Sequence, residues 1–287
     1  RDPEMSCGLG DVYKRQILDE NNDEMFVNCA AAKKIYVYDL SGNFKRSFAH
    51  PKDTEYMDVL NYDKDNLICY DMSVYYKDGQ PREKGKSYHS LISKKDGSVT
   101  RGIYLPYDVV KAPCVQQGDG VAMASVRPII PNRGEWLLVD CSSDTVYNYV
   151  PEKNELVPFL AKAPTKDPEI LLTMGAITDR YYFIHTVKKV FDFTTGRGFF
   201  MNDFMYDKQD NALYKAKVLN SDFVKKRGVD MFLRPINNNE IAVVQTLAAG
   251  QLVEAYQEDG LQGRLKEVAA GLDEEANPVV MLVKYKH

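Results

Sequence analysis

Two arginines in matching contexts are the residues of this sequence best suited to bind an anion. Arg127 and Arg234 are each followed by Pro and Ile, and they stand 107 positions apart. A planar guanidinium binds a carboxylate or a phosphate through two parallel hydrogen bonds. Two arginines that converge in space therefore predict a site for a small acidic ligand. In the alternative, each guanidinium bonds to nearby backbone and braces the fold.

Other residue types that often do chemistry occur here without a catalytic spacing. No His-x-His or His-Glu-x-x-His spacing is present, which predicts structural or surface roles for His50, His89 and His185. The sequence also lacks a Gly-x-Ser-x-Gly motif, a P-loop and a dinucleotide fingerprint. Aspartates beside turn residues are expected to accept hydrogen bonds from turn backbone. They are Asp39, Asp96, Asp140 and Asp207.

The cysteine pattern gives no support for zinc or thioredoxin-type chemistry, because none of the five cysteines forms a Cys-x-x-Cys pair. Cys29, Cys69 and Cys141 stand in apolar, strand-like runs, which favours buried thiols that pack as small hydrophobic groups. A disulfide in an oxidising compartment is the alternative.

Charge and hydropathy limit the partners of the chain. The formal net charge is −4 over 287 residues and no basic stripe is visible, so nucleic acid is not an expected partner. No apolar run approaches the roughly 20 residues that a membrane-spanning helix needs. We therefore expect no membrane-spanning segment. With the arginine pair, the expected partner is an unknown protein or a small acidic molecule.

A hairpin that recurs at nearly constant spacing must position these side chains. Four strand-turn-strand segments contain the turn residues Gly42, Gly97, Asn154 and Asn211, which are 55, 57 and 57 positions apart. Gly and Asn tolerate the positive φ that such turns require. A hairpin repeating at this period predicts an all-β array of four-stranded units, most simply a β-propeller.

The repeat divides the chain into about five blades, of which the first is expected to be a partial copy. The expected blades are residues 17–50, 51–106, 107–164, 165–222 and 223–287. Within the third, Gly120–Arg127 is predicted to be the inner strand. Arg127 and Arg234 would then end equivalent inner strands near the central axis.

The fifth blade departs from this pattern because helices are expected where its outer hairpin is due. Apolar residues spaced three and four apart predict helices around Leu252 and Leu265, and Pro278 ends the second one. Val279–Lys286 then reads as a closing strand. Elsewhere, the polar segment Tyr76–Lys86 predicts a surface loop, which could recognise a partner.

The first 16 residues differ from the rest of the sequence. Residues 1–16 show neither strand alternation nor a signal-peptide layout, and Gly10–Gln16 resembles translated sequencing-adapter sequence. We expect a non-native leader at 1–16 and a single propeller domain at 17–287. The native chain would then enter in the middle of a gene, with blade content and an export signal upstream.

Two segments resemble a known family. The hairpin Ile35–Lys45 is similar to those of the six-bladed, NHL-like β-propeller proteins of Bacteroidetes, and the tail Leu265–Lys286 is similar to their usual C-terminus. The resemblance implies a six-bladed ring and export, often to the periplasm or as a lipid-anchored lipoprotein at the cell surface. It supplies no common activity and no catalytic residues.

The sequence favours an exported binding or scaffold module without a cofactor. The alternative is a metal-dependent lactonase- or lyase-like enzyme with its site at the central channel. A calcium ion there would need converging oxygen ligands, with Asp58, Asn61 and Asn237 as candidates. Three or more such ligands would favour the enzyme, whereas an apolar or arginine-lined channel would favour binding.

Overall fold

The computed structural model describes residues 14–75, 88–232 and 240–285, and these residues form an almost entirely β protein with two short α-helices. The chain divides into two compact units. The first comprises residues up to Ala112 together with Asp140–Ser143 and Pro151–Leu156. The second comprises Pro113–Val139, Asp144–Val150 and Val157 onward.

The first unit begins with a complete four-stranded antiparallel sheet. Its strands are β1 (Lys14–Asp19), β2 (Glu24–Cys29), β3 (Lys34–Tyr38) and β4 (Phe44–Ala49). The expectation of a partial first blade was therefore wrong. Strand β1 starts at Lys14, so the boundary expected at Ile17 falls inside a paired strand, with Gln16 opposite Val27.

A second sheet of the same design follows in the first unit. Its strands are β5 (Tyr56–Asn61), β6 (Asn66–Asp71), β7 (His89–Ser93) and β8 (Val99–Ile103). Alternating strand residues point to one face, and the two sheets bury theirs in a shared core. Core members include Phe26, Ile35, Val37, Tyr56, Leu67 and Ile92.

The second unit opens with a two-stranded ribbon, β9 (Cys114–Gln117) and β10 (Gly120–Met123), followed by a third four-stranded sheet. The strands of this sheet are β11 (Ile129–Asn132), β12 (Glu135–Leu138), β13 (Thr145–Val150) and β14 (Glu155–Ala161). The inner strand predicted over Gly120–Arg127 was misplaced. Strand β11 takes that role. Among the described strands it is an edge strand paired with β12, which is where a proline such as Pro131 is tolerated.

A fourth sheet carries an insertion. Its strands run in chain order β15 (Ile170–Ile177), β16 (Tyr181–Lys188), β17 (Phe191–Asp192), β18 (Arg197–Gly198), β19 (Met201–Asp207) and β20 (Ala212–Lys215). The sheet order is β15-β16-β19-β20, while β17 and β18 form a separate two-stranded ribbon. Sheets three and four share a core that includes Ile130, Leu137, Met174 and Ile184.

The remaining elements replace a fifth four-stranded blade. They are the ribbon β21 (Val218–Asn220) and β22 (Arg227–Val229), then β23 (Ile241–Leu247), α1 (Ala249–Gln257), α2 (Gly263–Ala269) and β24 (Val279–Lys284). The two predicted helices and the strand predicted after them are present, and β24 pairs with β23. The helices pack through Leu252, Leu265 and Phe223.

The four recurring hairpins are the outer strand pairs of the four-stranded sheets, as predicted. Their turn residues Gly42, Gly97, Asn154 and Asn211 all have positive φ, at 89°, 74°, 54° and 50°. At Gly97 a side chain would also collide with the Phe48 ring, which an added Cβ would approach to 2.3 Å. This position therefore requires glycine for its backbone and for its packing.

The three cysteines predicted to be buried differ in their bonding. Cys69 and Cys141 are buried and carry free thiols, which confirms the prediction for these two. Burial raises the pKa of the Cys69 thiol well above its usual value. Cys29 is also buried but is disulfide-bonded.

Candidate functional site

A cavity of about 680 Å³ in the second unit is the candidate site. It lies against the fourth sheet and the β21–β22 ribbon. Most of its wall is aromatic or aliphatic, with a few polar side chains among them. Wall residues that bear on its chemistry include Phe183, His185, Phe199, Phe200, Met201, Asp203, Lys215, Lys217, Asp230 and Phe232.

The β17–β18 insertion supplies one wall of this pocket. Its tight turn has Gly196 at φ 66°, and Asp192 accepts hydrogen bonds from the Thr194 amide (2.9 Å) and the Thr195 hydroxyl (2.8 Å). The ribbon then folds back so closely that a Cβ on Gly198 would lie 2.4 Å from the Val190 carbonyl oxygen. The approach to the pocket therefore depends on a glycine at position 198.

Phe199 has a strained backbone at the edge of the pocket. Its φ is 49°, a left-handed value that is rare for a bulky residue. Its amide donates to the Val190 carbonyl at 2.7 Å, which holds the strained conformation in place. The next two residues, Phe200 and Met201, are 59% and 63% exposed. Such local strain is often found at binding and catalytic sites.

His185 and Asp203 form the main polar contact of the pocket. The two residues are directly opposite each other on β16 and β19, and His185 Nδ1 lies 2.8 Å from Asp203 Oδ1. A carboxylate can only accept, so Nδ1 carries the proton and Nε2 is left to accept or donate. The Phe232 ring meets the imidazole edge to face, with centroids 4.5 Å apart.

Two lysines stand beside this pair. Lys215 ends β20 and Lys217 directly precedes β21, and both side chains are exposed. Between them the Ala216 amide donates to the Asp203 carbonyl at 3.2 Å. This backbone bond fixes the attachment points of both lysines next to the His185–Asp203 pair.

The segment after β22 forms the opposite wall. The Asp230 carboxylate accepts the Phe232 amide at 2.8 Å, and the Met231 carbonyl accepts the Ala176 amide at 2.8 Å. A Cβ on Gly175 would lie 2.5 Å from that Met231 carbonyl, so glycine is needed on β15 for this contact. The wall is thereby tied to the fourth sheet.

The predicted arginine pair is only partly described. Arg127 is half-buried and lies two residues before β11, rather than at the end of an inner strand. The carbonyl of the next residue, Pro128, accepts the Val139 amide at 2.9 Å. Arg234 lies outside the described residues, so an anion site formed by the pair stays a prediction.

The calcium hypothesis also stays a prediction. Asp58 lies in β5 opposite Tyr70, and the Asn61 amide group donates to the Leu18 carbonyl at 3.1 Å. Asn237 lies outside the described residues, as does the whole loop Tyr76–Lys86. In the described ranges, no group of three or more His, Cys, Asp or Glu side chains could hold a metal ion.

His50, His89 and His185 are all buried, which excludes the surface role for them. His50 is structural: its Nδ1 accepts the Tyr56 amide (3.3 Å), and its Nε2 lies 2.9 Å from Asn28 Oδ1. Burial lowers the pKa of His50 to about 4. His185 is the exception, because it lines the pocket.

The four turn aspartates behave as predicted, since each accepts a backbone amide close to it in sequence. The donors are the amides of Asn43, Ser98, Ser142 and Gln209, to Asp39, Asp96, Asp140 and Asp207 respectively. Asp140 is also buried, which raises the pKa of its carboxyl, and it accepts the Tyr70 hydroxyl at 3.0 Å.

Sequence reasoning missed the pocket residues. The signal that could have found them is the interval between the strands at Tyr181 and Phe204, which is too long for a hairpin turn. It contains Asp192, Thr195 and Gly196, the residue types of a second turn. That pattern indicates an inserted ribbon, and a ribbon beside a strand pair is a place where a pocket can form.

Antiparallel four-stranded sheets, each ending in an outer hairpin, define a protein of the β-propeller class. The sequence profile of the family DUF5128, described as a 6-bladed beta-propeller, matches residues 14–242. The chain belongs to this family. The predicted fold class and family resemblance are thereby confirmed.

One solved structure supports the fold, and a second is similar at a lower score. An exported-type protein of Bacteroides fragilis superposes on this chain with a TM-score of 0.56 at 15% sequence identity. The superposition covers 95% of this chain and 77% of that protein's chain. A DUF4221 protein of Bacteroides vulgatus gives a TM-score of 0.41 at 8% identity, covering 69% and 65%. Comparison with curated protein sequences gives no match. Within the described ranges, neither helix has the length and hydropathy to cross a membrane.

Proposed function

We propose that this protein is a binding module and that the pocket on the fourth sheet is where it binds a small molecule. The observation that carries the proposal is an aromatic-walled cavity of about 680 Å³ that also exposes polar groups. Ligand pockets in proteins typically measure about 300–1,000 Å³ and combine apolar walls with a few well-placed polar groups. This pocket has both properties.

The local structure supports binding rather than simple packing. Phe200 and Met201 stay largely exposed beside the cavity, although the burial of such side chains stabilises a fold. The adjacent Phe199 keeps a left-handed backbone that costs about 1–3 kcal/mol. A ligand that covers these side chains would account for the exposure of Phe200 and Met201 and for the strained backbone of Phe199.

The enzyme alternative has less support. A metal-dependent lactonase- or lyase-like reaction would require converging ligands for the ion. His185, Asp203 and Asp230 are the pocket groups that come nearest to this requirement, and His185 and Asp203 already bond to each other. No described residue specifically favours catalysis, so binding is the function that we propose.

Export to the periplasm or the cell surface, with a lipid anchor, is part of the same proposal. The family resemblance and the exported-type protein of Bacteroides fragilis support it. Fractionation of cells that express the natural gene, with detection by antibody, tests this point. Recovery in the cytoplasmic fraction would contradict it.

Occupancy of the pocket can be tested with N-phenyl-1-naphthylamine, a neutral aromatic dye that fluoresces in apolar sites. We expect saturable binding that Phe200→Ser weakens at least about fivefold, since an aromatic contact contributes about 1 kcal/mol. Phe44→Ser is the matched control, because Phe44 is also 59% exposed but lies on the first sheet. Equal dye affinity in both variants would overturn the proposal.

A further inference from the structure

The charges around the pocket indicate which ligands it favours, an inference that rests on the proposed binding function. Four charged side chains line the cavity: Lys215, Lys217, Asp203 and Asp230. The acidic and the basic side chains differ in their bonding. The carboxylates are held by internal hydrogen bonds, whereas the ammonium groups are not.

Each carboxylate already has a partner. Asp203 accepts the His185 Nδ1 proton at 2.8 Å, and Asp230 accepts the Phe232 amide at 2.8 Å. These bonds fix the positions of the two carboxylates. They also reduce what either carboxylate can offer to a cationic ligand, because one oxygen of each is occupied.

The lysines are available by contrast. Both ammonium groups are exposed, and neither forms an ion pair or a hydrogen bond within the part of the chain that the structure describes. Their attachment points are held at the pocket by the Ala216 amide, which donates to the Asp203 carbonyl. Two positively charged side chains anchored beside an apolar cavity match a ligand with a negatively charged head.

The rest of the wall defines the body of that ligand. Phe183 and Met231 are buried at 8% and 6% exposure, and Phe199 and Phe232 add two further rings. Such a surface favours a planar or aliphatic group over a strongly hydrated one. We infer that the pocket takes an amphiphilic organic anion, with an apolar body against the phenylalanines and a carboxylate or sulfonate head at Lys215 and Lys217.

A pair of dyes separates this inference from the binding function itself. The anion 8-anilinonaphthalene-1-sulfonate and the neutral N-phenyl-1-naphthylamine share an aromatic body but differ in charge. We expect Lys215→Ala with Lys217→Ala to lower the affinity for the anionic dye about tenfold and to leave the affinity for the neutral dye unchanged. Lys215→Arg with Lys217→Arg should retain the anionic dye.

The matched control is Lys225→Ala with Lys226→Ala, which removes the same charge from exposed lysines of the same unit that do not line the cavity. If the two double variants lose affinity for the anionic dye equally, the effect is one of net charge and the inference is overturned. If the Lys215 and Lys217 variant changes neither dye, the anion inference fails while the pocket stands. If neither dye binds the wild-type protein, the proposed function fails as well.

Discussion

The Lys94 ammonium lies 2.6 Å from Asp19 Oδ2, and this ion pair joins the first two sheets of the fold. Asp19 ends β1 and Lys94 directly follows β7, and both residues are less than 5% exposed. The Asn22 side chain also donates to Asp19 at 2.7 Å. A buried pair of this kind depends on both partners, because either charge alone would be stranded away from water.

Removing one partner of this pair should destabilise the protein strongly. We expect Lys94→Met to lower the free energy of unfolding by about 3 kcal/mol or more, since it leaves the Asp19 charge buried. Urea denaturation followed by circular dichroism measures this. Asp19→Leu combined with Lys94→Met should cost less than the sum of the single changes, and strict additivity would show that the two residues do not interact.

The carboxylates of Asp19 and Glu24 should make the first unit sensitive to acid. Burial acts to raise the pKa of Asp19, but the Lys94 ammonium and the Asn22 amide hold it below its usual value, and the Arg46 guanidinium lowers the pKa of Glu24 to about 2. Groups with lowered carboxyl pKa values stabilise the fold above their unfolded pKa, and that stability is lost as pH falls through the folded value. Between about pH 4.5 and pH 2, the free energy of unfolding should therefore fall less in Glu24→Gln than in the wild type.

His50 should add a separate dependence at higher pH. Burial lowers its pKa to about 4, so the unfolded chain binds a proton near pH 6.5 that the folded chain does not. The stability from neutral His50 is complete above about pH 6.5 and declines as pH falls toward 4. The midpoint of urea unfolding should fall more in wild type than in His50→Gln between pH 7 and pH 4.5. Parallel midpoints would contradict this.

The sequence predicts the repeating architecture well because hairpin turns leave local signals. Gly42 and Asn211 mark turns through the positive φ that they adopt, and the neighbouring Asp39 and Asp207 satisfy turn amides. Each signal lies within a few residues of the bond that it forms. The same property explains the correct prediction of the C-terminal helices.

The pocket could not be predicted in this way because its residues come from separate strands. His185 and Asp203 are 18 residues apart and meet only through the register of β16 and β19. The misplaced inner strand has a similar cause. Both Gly120–Arg127 and Ile129–Asn132 are apolar enough for a strand, and the Gly118 turn that pairs β10 with β9 decides between them.

The predicted anion site at the arginine pair needs a separate test. If Arg127 and Arg234 form an anion site, Arg127→Ala with Arg234→Ala should abolish binding of a small acidic ligand and leave the unfolding midpoint unchanged. Inorganic phosphate and acetate, titrated by calorimetry, serve as probes. Lower stability without any change in anion affinity would show instead that the guanidiniums brace the fold.

Substitutions at two glycines of the β17–β18 ribbon distinguish effects on the shape of the pocket from effects on the stability of the turn. A Cβ on Gly198 would lie 2.4 Å from the Val190 carbonyl oxygen and 2.5 Å from Phe191 Cα, both backbone atoms that can move only together with the ribbon. Gly196 has nothing within 4 Å of an added Cβ, although its φ is 66°. Gly196→Ala should therefore cost only about 1 kcal/mol of backbone strain and preserve dye binding. Gly198→Ala must displace the ribbon that carries Phe199, so we expect a loss of neutral-dye affinity well beyond any change in the melting temperature. Equal dye affinity in the two variants would show that the position of the ribbon does not shape the pocket.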